Sequence, residues 1–259
     1  MAAKPRQPDM FASDAEAVAV AASLEARHGT LPAREVIAFS VREGFPGAIA
    51  AVSSFGADSA VLLHMLAEVD AGLPVVFLDT GKHFEETISY RDALAADLGL
   101  TNIEIVSPDE AALARVDPRG GLHQTDTDAC CDVRKVEPMA RGVAPYRAWF
   151  TGRKRHQAST RNALPVFEAV GPRVRINPLA HFTTADQAEY MRRHGLRENP
   201  LVAYGYLSIG CFPCTSVVRP GEDARSGRWA GQAKTECGIH LGGLDTSLKA
   251  ATGQDPRKA

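Results

Sequence analysis

Residues 48–59 read AIAAVSSFGADS and join a predicted strand to a predicted helix. The apolar run 48–52 predicts a short buried strand, because such runs bounded by turn residues are typical of strands inside a sheet. Apolar residues then recur at helical spacing over 60–69, so the polar loop 53–59 lies between a strand and a helix. A second apolar run, PVVFL at 74–78, predicts another buried strand, which ends in Asp79-Thr80-Gly81.

The flanking sequence continues the alternation of strands and helices. Strands are predicted over 102–106, 149–151 and 174–178, and helices over 13–27, 32–43, 85–98 and 184–194. Ser13 with Glu16, and Thr184 with Gln187, have the spacing of capping residues at helix starts. This alternation predicts an α/β fold with a doubly wound, mostly parallel sheet. Sheets of this kind bind ligands outside the carboxyl ends of their strands, where the loop 53–59 lies.

The composition is that of an ordinary soluble globular chain. It has 259 residues, of which 45% are apolar and 23% charged, and a net charge of −2. So small a charge gives no overall attraction to nucleic acid or to an anionic membrane. The N-terminus lacks the compact apolar run of a secretory signal, and no apolar stretch is long enough for a membrane span. We therefore expect a cytoplasmic protein without nucleic-acid or membrane partners.

The loop after the first strand has the composition of a phosphate-binding turn. Its small and polar residues are Ser53, Ser54, Gly56, Asp58 and Ser59. Exposed backbone N–H groups and a helix N-terminus favour an anion at such a place, and Gly56 would permit a close backbone approach or a positive φ. The loop matches neither the Walker A pattern nor GxGxxG. The alternative is a tight turn with an Asp or Ser cap.

Five cysteines divide naturally into four and one. Cys130-Cys131 and the CxxC pair Cys211 and Cys214 are separated by a long intervening stretch. Thiolates bind zinc or iron–sulfur clusters, and the adjacent pair favours a cluster, because neighbouring side chains diverge and a cluster offers separate irons. The alternative is a redox-active CxxC with two idle thiols.

The fifth cysteine and the basic residues suit chemistry on an anion. Cys237 lies in KTECGIHL at 234–241, where cationic neighbours would lower the pKa of a nucleophilic thiol. Between Arg134 and Arg161 there are eight basic residues and one acidic residue, Glu137. Such clustering suits phosphate or sulfate groups, although scattered arginines more often form a solvated surface.

These motifs together resemble a known family. The loop 53–59 is similar to the PP-loop of the ATP-pyrophosphatase-like superfamily, and CC…CxxC after such a loop resembles the assimilatory adenylyl-sulfate (APS) reductases over residues 53–241. The resemblance implies that Cys130, Cys131, Cys211 and Cys214 ligate a [4Fe–4S] cluster. Since the related PAPS reductases lack this quartet, it also implies APS as the substrate.

The same resemblance assigns roles to other residues. ECGIHL looks like the signature whose cysteine attacks the substrate sulfur, so Cys237 is the implied nucleophile and His240 lies near the sulfate. Lys135 would lie between cluster and substrate, next to Arg134. In the segment 149–157, Lys154 replaces an expected arginine, which leaves Arg155 as the better anion ligand. The other implied substrate-binding residues are Leu78, Asp79, Thr80 and Gly81 at the adenine, and Arg161, Arg225 and Arg228.

The resulting expectation is thioredoxin-dependent reduction of APS to sulfite and AMP through an S-sulfocysteine, in assimilatory sulfate reduction. The expected partners are thioredoxin or a similar dithiol protein and a second copy of the chain in a homo-oligomer. The expected organisation is N-terminal helices over 1–45, an α/β nucleotide-binding domain over 46–200 and a metal-organised C-terminal segment over 201–259. Alternatives are a PAPS or dual-substrate reductase, a cluster-containing ATP-pyrophosphatase and a nucleotide-binding redox sensor.

Overall fold

A computed structural model describes residues 11–230, 234, 238 and 239, and these residues form an α/β structure around one six-stranded sheet. The strands are β1 (Ile49–Val52), β2 (Val75–Leu78), β3 (Ile103–Val106), β4 (Ala148–Phe150), β5 (Phe167–Ala169) and β6 (Val174–Ile176). Their order in the sheet is β3-β2-β1-β4-β6-β5. Neighbouring strands are parallel except β5 and β6, which are antiparallel. The predicted mostly parallel α/β sheet is confirmed.

Nine α-helices lie within the described part of the chain. They are α1 (Asp14–His28), α2 (Ala33–Phe39), α3 (Ser59–Val69), α4 (Glu85–Leu98), α5 (Glu110–Val116), α6 (Leu122–Thr125), α7 (Thr127–Cys131), α8 (Glu137–Val143) and α9 (Thr184–Arg193). π-helical turns occupy Ser40–Gly44 and Asp132–Val136, and 3₁₀ helices occupy Arg155–Gln157, Ser159–Arg161, Pro200–Tyr204 and Phe212–Cys214. None of these described helices is both long and apolar enough to cross a lipid bilayer.

Alternate residues of the central strands face opposite sides of the sheet. Ile49 and Ala51 belong to the larger core, which includes residues of α1 to α4, whereas Ala50 packs with Trp149 and with Met139 of α8. This period-two division is expected of a parallel sheet that is covered on both faces. The N-terminal helices, within the predicted segment 1–45, contribute to the larger core. The predicted domain boundaries stay predictions.

The sheet topology creates a crevice between β1 and β4. From β1 the chain builds β2 and β3 on one side, and then crosses to β4 and β6 on the other. Helix α3, which follows β1, and helix α8, which precedes β4, pack on opposite faces of the sheet. The carboxyl ends of β1 and β4 therefore meet at a topological switch point, the place where open α/β sheets bind ligands.

One predicted helix boundary and one predicted helix cap were wrong in detail. The helix predicted over 32–43 is α-helical only to Phe39 and continues as a π-helical turn, in which the buried Ser40 hydroxyl donates to the Val36 carbonyl at 2.7 Å. The cap of α9 is Thr183, not Thr184: its hydroxyl accepts a hydrogen bond from the Asp186 N–H at 3.1 Å. Thr183 and Asp186 form the capping box in place of Thr184 and Gln187, and the Gln187 amide donates to Asp58.

Candidate active site

A large cavity of roughly 1220 Å³ opens at the switch point between β1 and β4. Predicted substrate-binding or catalytic residues that line it are Ser53, Ser54, Gly56, Asp58, Ser59, Leu78, Thr80, Lys135, Arg161, Arg225 and Arg228. They come from distant parts of the sequence and meet because the carboxyl ends of parallel strands share one edge of the sheet. The cavity is therefore lined both by residues of the polar loop 53–59 and by several cationic side chains.

The loop 53–59 contains one residue with a strained backbone conformation. Phe55 has a φ of 48°, in the left-handed region, and its fully buried ring packs edge-on against Phe77 at 5.7 Å. The amide of Asn199 donates to the Phe55 carbonyl at 3.0 Å and holds this conformation. Gly56 supplies close approach, since a side chain there would lie 3.3 Å from the Ile209 carbonyl. The positive φ that was considered for Gly56 occurs at Phe55.

Asp58 does not cap α3 with its side chain. Its carboxylate instead accepts hydrogen bonds from Lys154 at 3.3 Å, from Gln157 at 2.9 Å and from Gln187 of α9. Burial raises the pKa of Asp58, but the Lys154 charge and these hydrogen bonds outweigh burial, so the pKa lies below its ordinary value. Burial lowers the pKa of Lys154, and the Asp58 carboxylate opposes that shift. Asp58 occupies the N-cap position of α3, but the side-chain cap that the Asp form of the alternative requires is absent.

Several predicted ligands lie away from the large cavity. Arg155 donates to the Leu164 carbonyl at 2.9 Å and is not among the residues lining the cavity. Arg134 is buried against Asp117 and donates to the Thr80 carbonyl at 2.8 Å. Asp79 accepts from the Gly81 N–H at 2.9 Å, so these two residues shape the turn after β2. None of these four residues lines the large cavity, and their direct role in substrate binding stays a prediction.

Two arginines that the sequence reasoning did not assign line the cavity instead. Arg153 and Arg175 both pair with Glu168 of β5, and the Arg175 Nε lies 2.8 Å from that carboxylate. Asn177 also donates to Glu168 at 2.7 Å. The alternation of side chains along β6 could have indicated that Arg175 and Asn177 share one face, but their partner on the edge strand had no sequence signal.

Arg228, Trp149 and His83 also line the large cavity. The Arg228 guanidinium lies 4.4 Å from the ring centroid of Trp229, and a side chain at Gly210 would overlap it. Trp149 and His83 line the cavity, and the Trp149 Nε1 and His83 Nδ1 atoms have no hydrogen-bond partner among the described residues. Buried nitrogens of this kind are usually paired, so a bound polar molecule is a natural partner for them.

A second, smaller cavity brings four cysteines together. Cys130, Cys131, Cys211 and Cys214 all line it, as does Lys135, which also lines the large cavity. The four thiols are free rather than joined in disulfides. A π-helical turn begins directly after Cys131, consistent with the bent backbone expected for an adjacent pair that faces one centre.

The thiols differ in their electrostatic surroundings. Burial chiefly, with the neighbouring Cys131 thiol, raises the pKa of Cys130 to about 11. Burial also raises the pKa of Cys211, but the Lys135 charge and a hydrogen bond with Thr80 outweigh it, so that pKa lies below its ordinary value. The Thr80 hydroxyl lies 3.3 Å from the Cys211 sulfur. Burial chiefly raises the pKa of Cys214 as well, so the surroundings favour thiolate charge at Cys211 and oppose it at Cys130 and Cys214.

The cysteine cavity suits a cluster in its donor type. Within residues 11–230, 234, 238 and 239, no group of three or more His, Cys, Asp or Glu side chains is arranged to hold a single metal ion. Four thiols around a common space are the donor set of iron–sulfur clusters, in which each thiolate binds a separate iron. The four cysteines therefore fit an iron–sulfur cluster.

Cys237 and His240 lie outside the described residues, but some of their neighbours do not. Ile239 lines the large cavity and packs against both Trp229 and the apolar cluster around Trp149. The Ile239 carbonyl accepts a long hydrogen bond from Arg175 at 3.4 Å. Lys234, considered as a neighbour that lowers the Cys237 pKa, pairs with Asp128.

Comparison with known proteins gives consistent matches. Residues 48–217 match the family model described as the phosphoadenosine phosphosulfate reductase domain. A Mesorhizobium japonicum protein named adenosine 5'-phosphosulfate reductase is 73% identical, over 97% of this chain and 100% of its own length. A Chelativorans protein of the same name is 64% identical, with 97% of this chain and 100% of its own length covered. The crystal structure of phosphoadenylyl-sulfate (PAPS) reductase from Candida auris, a phosphate complex, matches with a TM-score of 0.65 at 28% identity, covering 76% of this chain and 96% of that chain.

Proposed function

Because the chain belongs to the phosphoadenosine phosphosulfate reductase family, we propose that it reduces adenosine 5'-phosphosulfate (APS) to sulfite and AMP in assimilatory sulfate reduction. The observation that carries the proposal is the position of Lys135, which lines both the nucleotide-sized cavity and the cysteine cavity. One cation thus connects the expected site of the phosphosulfate with the four thiols. The names of the Mesorhizobium japonicum and Chelativorans relatives support APS as the substrate.

The cavity lining supports the binding of an anionic nucleotide. Backbone N–H groups of the loop 53–59 and the N-terminus of α3 suit the phosphosulfate. Lys135, Arg225 and Arg228 supply positive charge in the same cavity. Leu78, Thr80, Trp149 and His83 would surround the nucleoside, and the unpaired Trp149 and His83 nitrogens offer it hydrogen bonds.

The chemistry that we propose has two steps. The Cys237 thiolate attacks the sulfur of APS, the bond from sulfur to the phosphate oxygen breaks, and AMP leaves while Cys237 becomes an S-sulfocysteine. A thiol of thioredoxin, or of a similar dithiol protein, then attacks the Cys237 sulfur and releases sulfite with both bonding electrons. Its second thiol restores the Cys237 thiol, so the dithiol is oxidised to a disulfide while the sulfate sulfur is reduced. Arg225, Arg228, Lys135 and His240 stabilise the oxygens of the departing groups.

Cys130, Cys131, Cys211 and Cys214 would hold a [4Fe–4S] cluster. When bound, such a cluster would connect the segment 211–214 to α7 and, together with Lys135, would influence the electric field near the sulfate. The residues of the chain carry the proposed steps: Lys135 neutralises the anion, and Arg134 fixes the π-helical turn on which Lys135 lies. Cysteines that bind a cluster instead of forming disulfides are typical of a reducing compartment, which supports a cytoplasmic enzyme. A homo-oligomer belongs to the proposal as well.

Comparative turnover of APS and PAPS tests the substrate assignment. The holoenzyme with thioredoxin should release sulfite and AMP from APS, with a kcat/KM for PAPS lower by about a hundredfold or more. Equal turnover of both nucleotides would favour the dual-substrate alternative, and ATP consumption without sulfite would favour an ATP-pyrophosphatase. Iron and acid-labile sulfide should be present in the purified protein and absent from a Cys214→Ser variant. Zinc in their place would contradict the cluster.

A further inference from the structure

Asp58 puts a negative charge where the proposed substrate is also negative. Its carboxylate lies in the loop 53–59, lines the large cavity and has a side chain that is 42% exposed. Two like charges separated by several ångströms repel each other appreciably at the edge of a protein. An uncompensated carboxylate in this loop would therefore oppose the binding of any nucleotide with phosphate or sulfate groups.

The compensating charge lies behind the loop. The Lys154 ammonium is 3.3 Å from the Asp58 carboxylate, and the Lys154 side chain is 0% exposed. Lys154 also donates to the Gly152 carbonyl at 3.3 Å and is not among the residues that line the cavity. Lys154 therefore pairs with Asp58 of the loop 53–59 and does not face the cavity. The positive charge on the cavity side of the loop comes from other residues.

Two amides complete the surroundings of the carboxylate. Gln157 donates to one Asp58 oxygen at 2.9 Å, and Gln187 of α9 donates to the other. They hold the carboxylate from two elements that are far apart in the sequence. With Lys154 they fix both its charge balance and its orientation.

We propose that Lys154 is a positioning residue that neutralises Asp58 from behind the loop 53–59 and so makes the cavity acceptable to an anionic nucleotide. This inference rests on the proposed function for the identity of the nucleotide. It also explains the departure noted in the segment 149–157, where a lysine replaces an expected arginine. A compact ammonium fits between one carboxylate and one carbonyl and requires no contact with substrate.

A double-mutant cycle on the holoenzyme tests this. The variants are Lys154→Met, Asp58→Asn and the double variant, with Arg193→Met on the exposed face of α9 as a control for the loss of a remote cation. AMP binding by calorimetry is the first measurement, and kcat and KM for APS are the second. Lys154→Met should weaken AMP binding and raise KM about tenfold at low salt, with a smaller effect on kcat and a smaller penalty at high salt.

The decisive arm is the double variant. Since both charges are then absent, AMP affinity should return to within about threefold of wild type, which a merely structural role of Lys154 would not produce. Wild-type affinity in Lys154→Met, or no recovery in the double variant, would overturn the proposal. If Lys154→Met does not fold, Asp58→Asn still tests it: AMP must bind at least as tightly as to wild type.

The outcomes separate this inference from the proposed function. Loss of AMP affinity in Lys154→Met with recovery in the double variant supports the inference, even if wild type does not turn over APS. Normal APS turnover with no effect of Lys154→Met rejects the inference and leaves the function intact. Failure of the wild-type protein to bind AMP at all would reject both.

Discussion

The Arg134 guanidinium donates to the Asp117 carboxylate at 2.7 Å, and the two side chains are only 10% and 2% exposed. The same guanidinium donates to the Thr80 carbonyl at 2.8 Å, so it joins the π-helical turn after Cys131 to the end of β2. Thr80 in turn contacts Cys211. A buried ion pair therefore holds together the two segments that carry the four cysteines.

Loss of one member of this pair should be costly. Arg134→Gln leaves Asp117 buried without its charge partner, and we expect a loss of about 3 kcal/mol in the free energy of unfolding. Iron content should fall in parallel, because the cysteine segments lose their connection. The matched control is Arg141→Gln, which breaks an exposed pair with Glu137 and should cost about 0.5 kcal/mol. Urea unfolding and iron analysis measure both effects, and equal losses in the two variants would contradict this role.

The conformation of the loop 53–59 should depend on Asn199. Its fully buried amide donates to Phe55 and accepts from the Leu201 N–H at 3.0 Å, so Asn199→Ala leaves two buried backbone groups without partners. We expect a loss of about 2 kcal/mol in stability and weaker AMP binding. Asn102→Ala removes an exposed, long hydrogen bond to Gly72 and is the control. Unchanged AMP affinity in a folded Asn199→Ala variant would show that the strained loop does not need this support.

Arg175 should govern the reactivity of Cys237 through Ile239. Its guanidinium is fixed by Glu168 and donates to the Ile239 carbonyl, two residues after Cys237 in the sequence. In Arg175→Gln, loss of this contact, two residues from Cys237 in the sequence, should slow the transfer of the sulfonate to Cys237 about tenfold and change the rate at which iodoacetamide alkylates Cys237. Arg173→Lys, next to β6 and bonded to the Tyr146 carbonyl, is the control. Peptide mass spectrometry over time gives both rates, and wild-type rates for both reactions in Arg175→Gln would exclude this role.

His64 should make the stability of the α3–α9 contact sensitive to pH. It lies 2.9 Å from the Tyr190 hydroxyl, and Glu68, His194 and Arg34 also surround it. Burial chiefly lowers the pKa of His64, with the Arg34 and His194 charges, against the opposing effect of Glu68. The unfolded chain then binds more protons than the folded one as the pH falls through about 6.5. The free energy of unfolding should decline over this range, and His64→Gln should decline less. An identical pH profile for the variant would contradict the assignment.

The sequence alone predicts the features that depend on neighbouring residues. The loop 53–59, the strands that flank it and the four-and-one division of the cysteines follow from short patterns, since buried strands and CxxC pairs are specified by adjacent residues. The structure brings Cys130 and Cys131 to the same small cavity as Cys211 and Cys214, as the spacing had led us to expect.

The features that the sequence did not predict depend on tertiary contacts. Gln187 was predicted to be a helix cap, but its amide binds Asp58, a partner 129 residues away in the sequence. The motif predicts only that Lys154 is a weaker anion ligand than the arginine it replaces. The motif does not indicate that Lys154 is fully buried and paired with Asp58. Glu168, the partner of Arg153 and Arg175, lies on a short antiparallel edge strand without a periodic signal. Pairings of this kind are fixed by strand order, which residue patterns alone do not specify.

The most direct test of the central claim is the intact mass of the holoprotein after incubation with APS and no reductant. The proposed reaction predicts that wild type gains one sulfonate group, located on Cys237 by peptide mapping, and that a Cys237→Ser variant gains none. Thioredoxin should then remove the group and release sulfite. A wild-type protein that stays unmodified, or a Cys237→Ser variant that gains the same mass, would contradict the account.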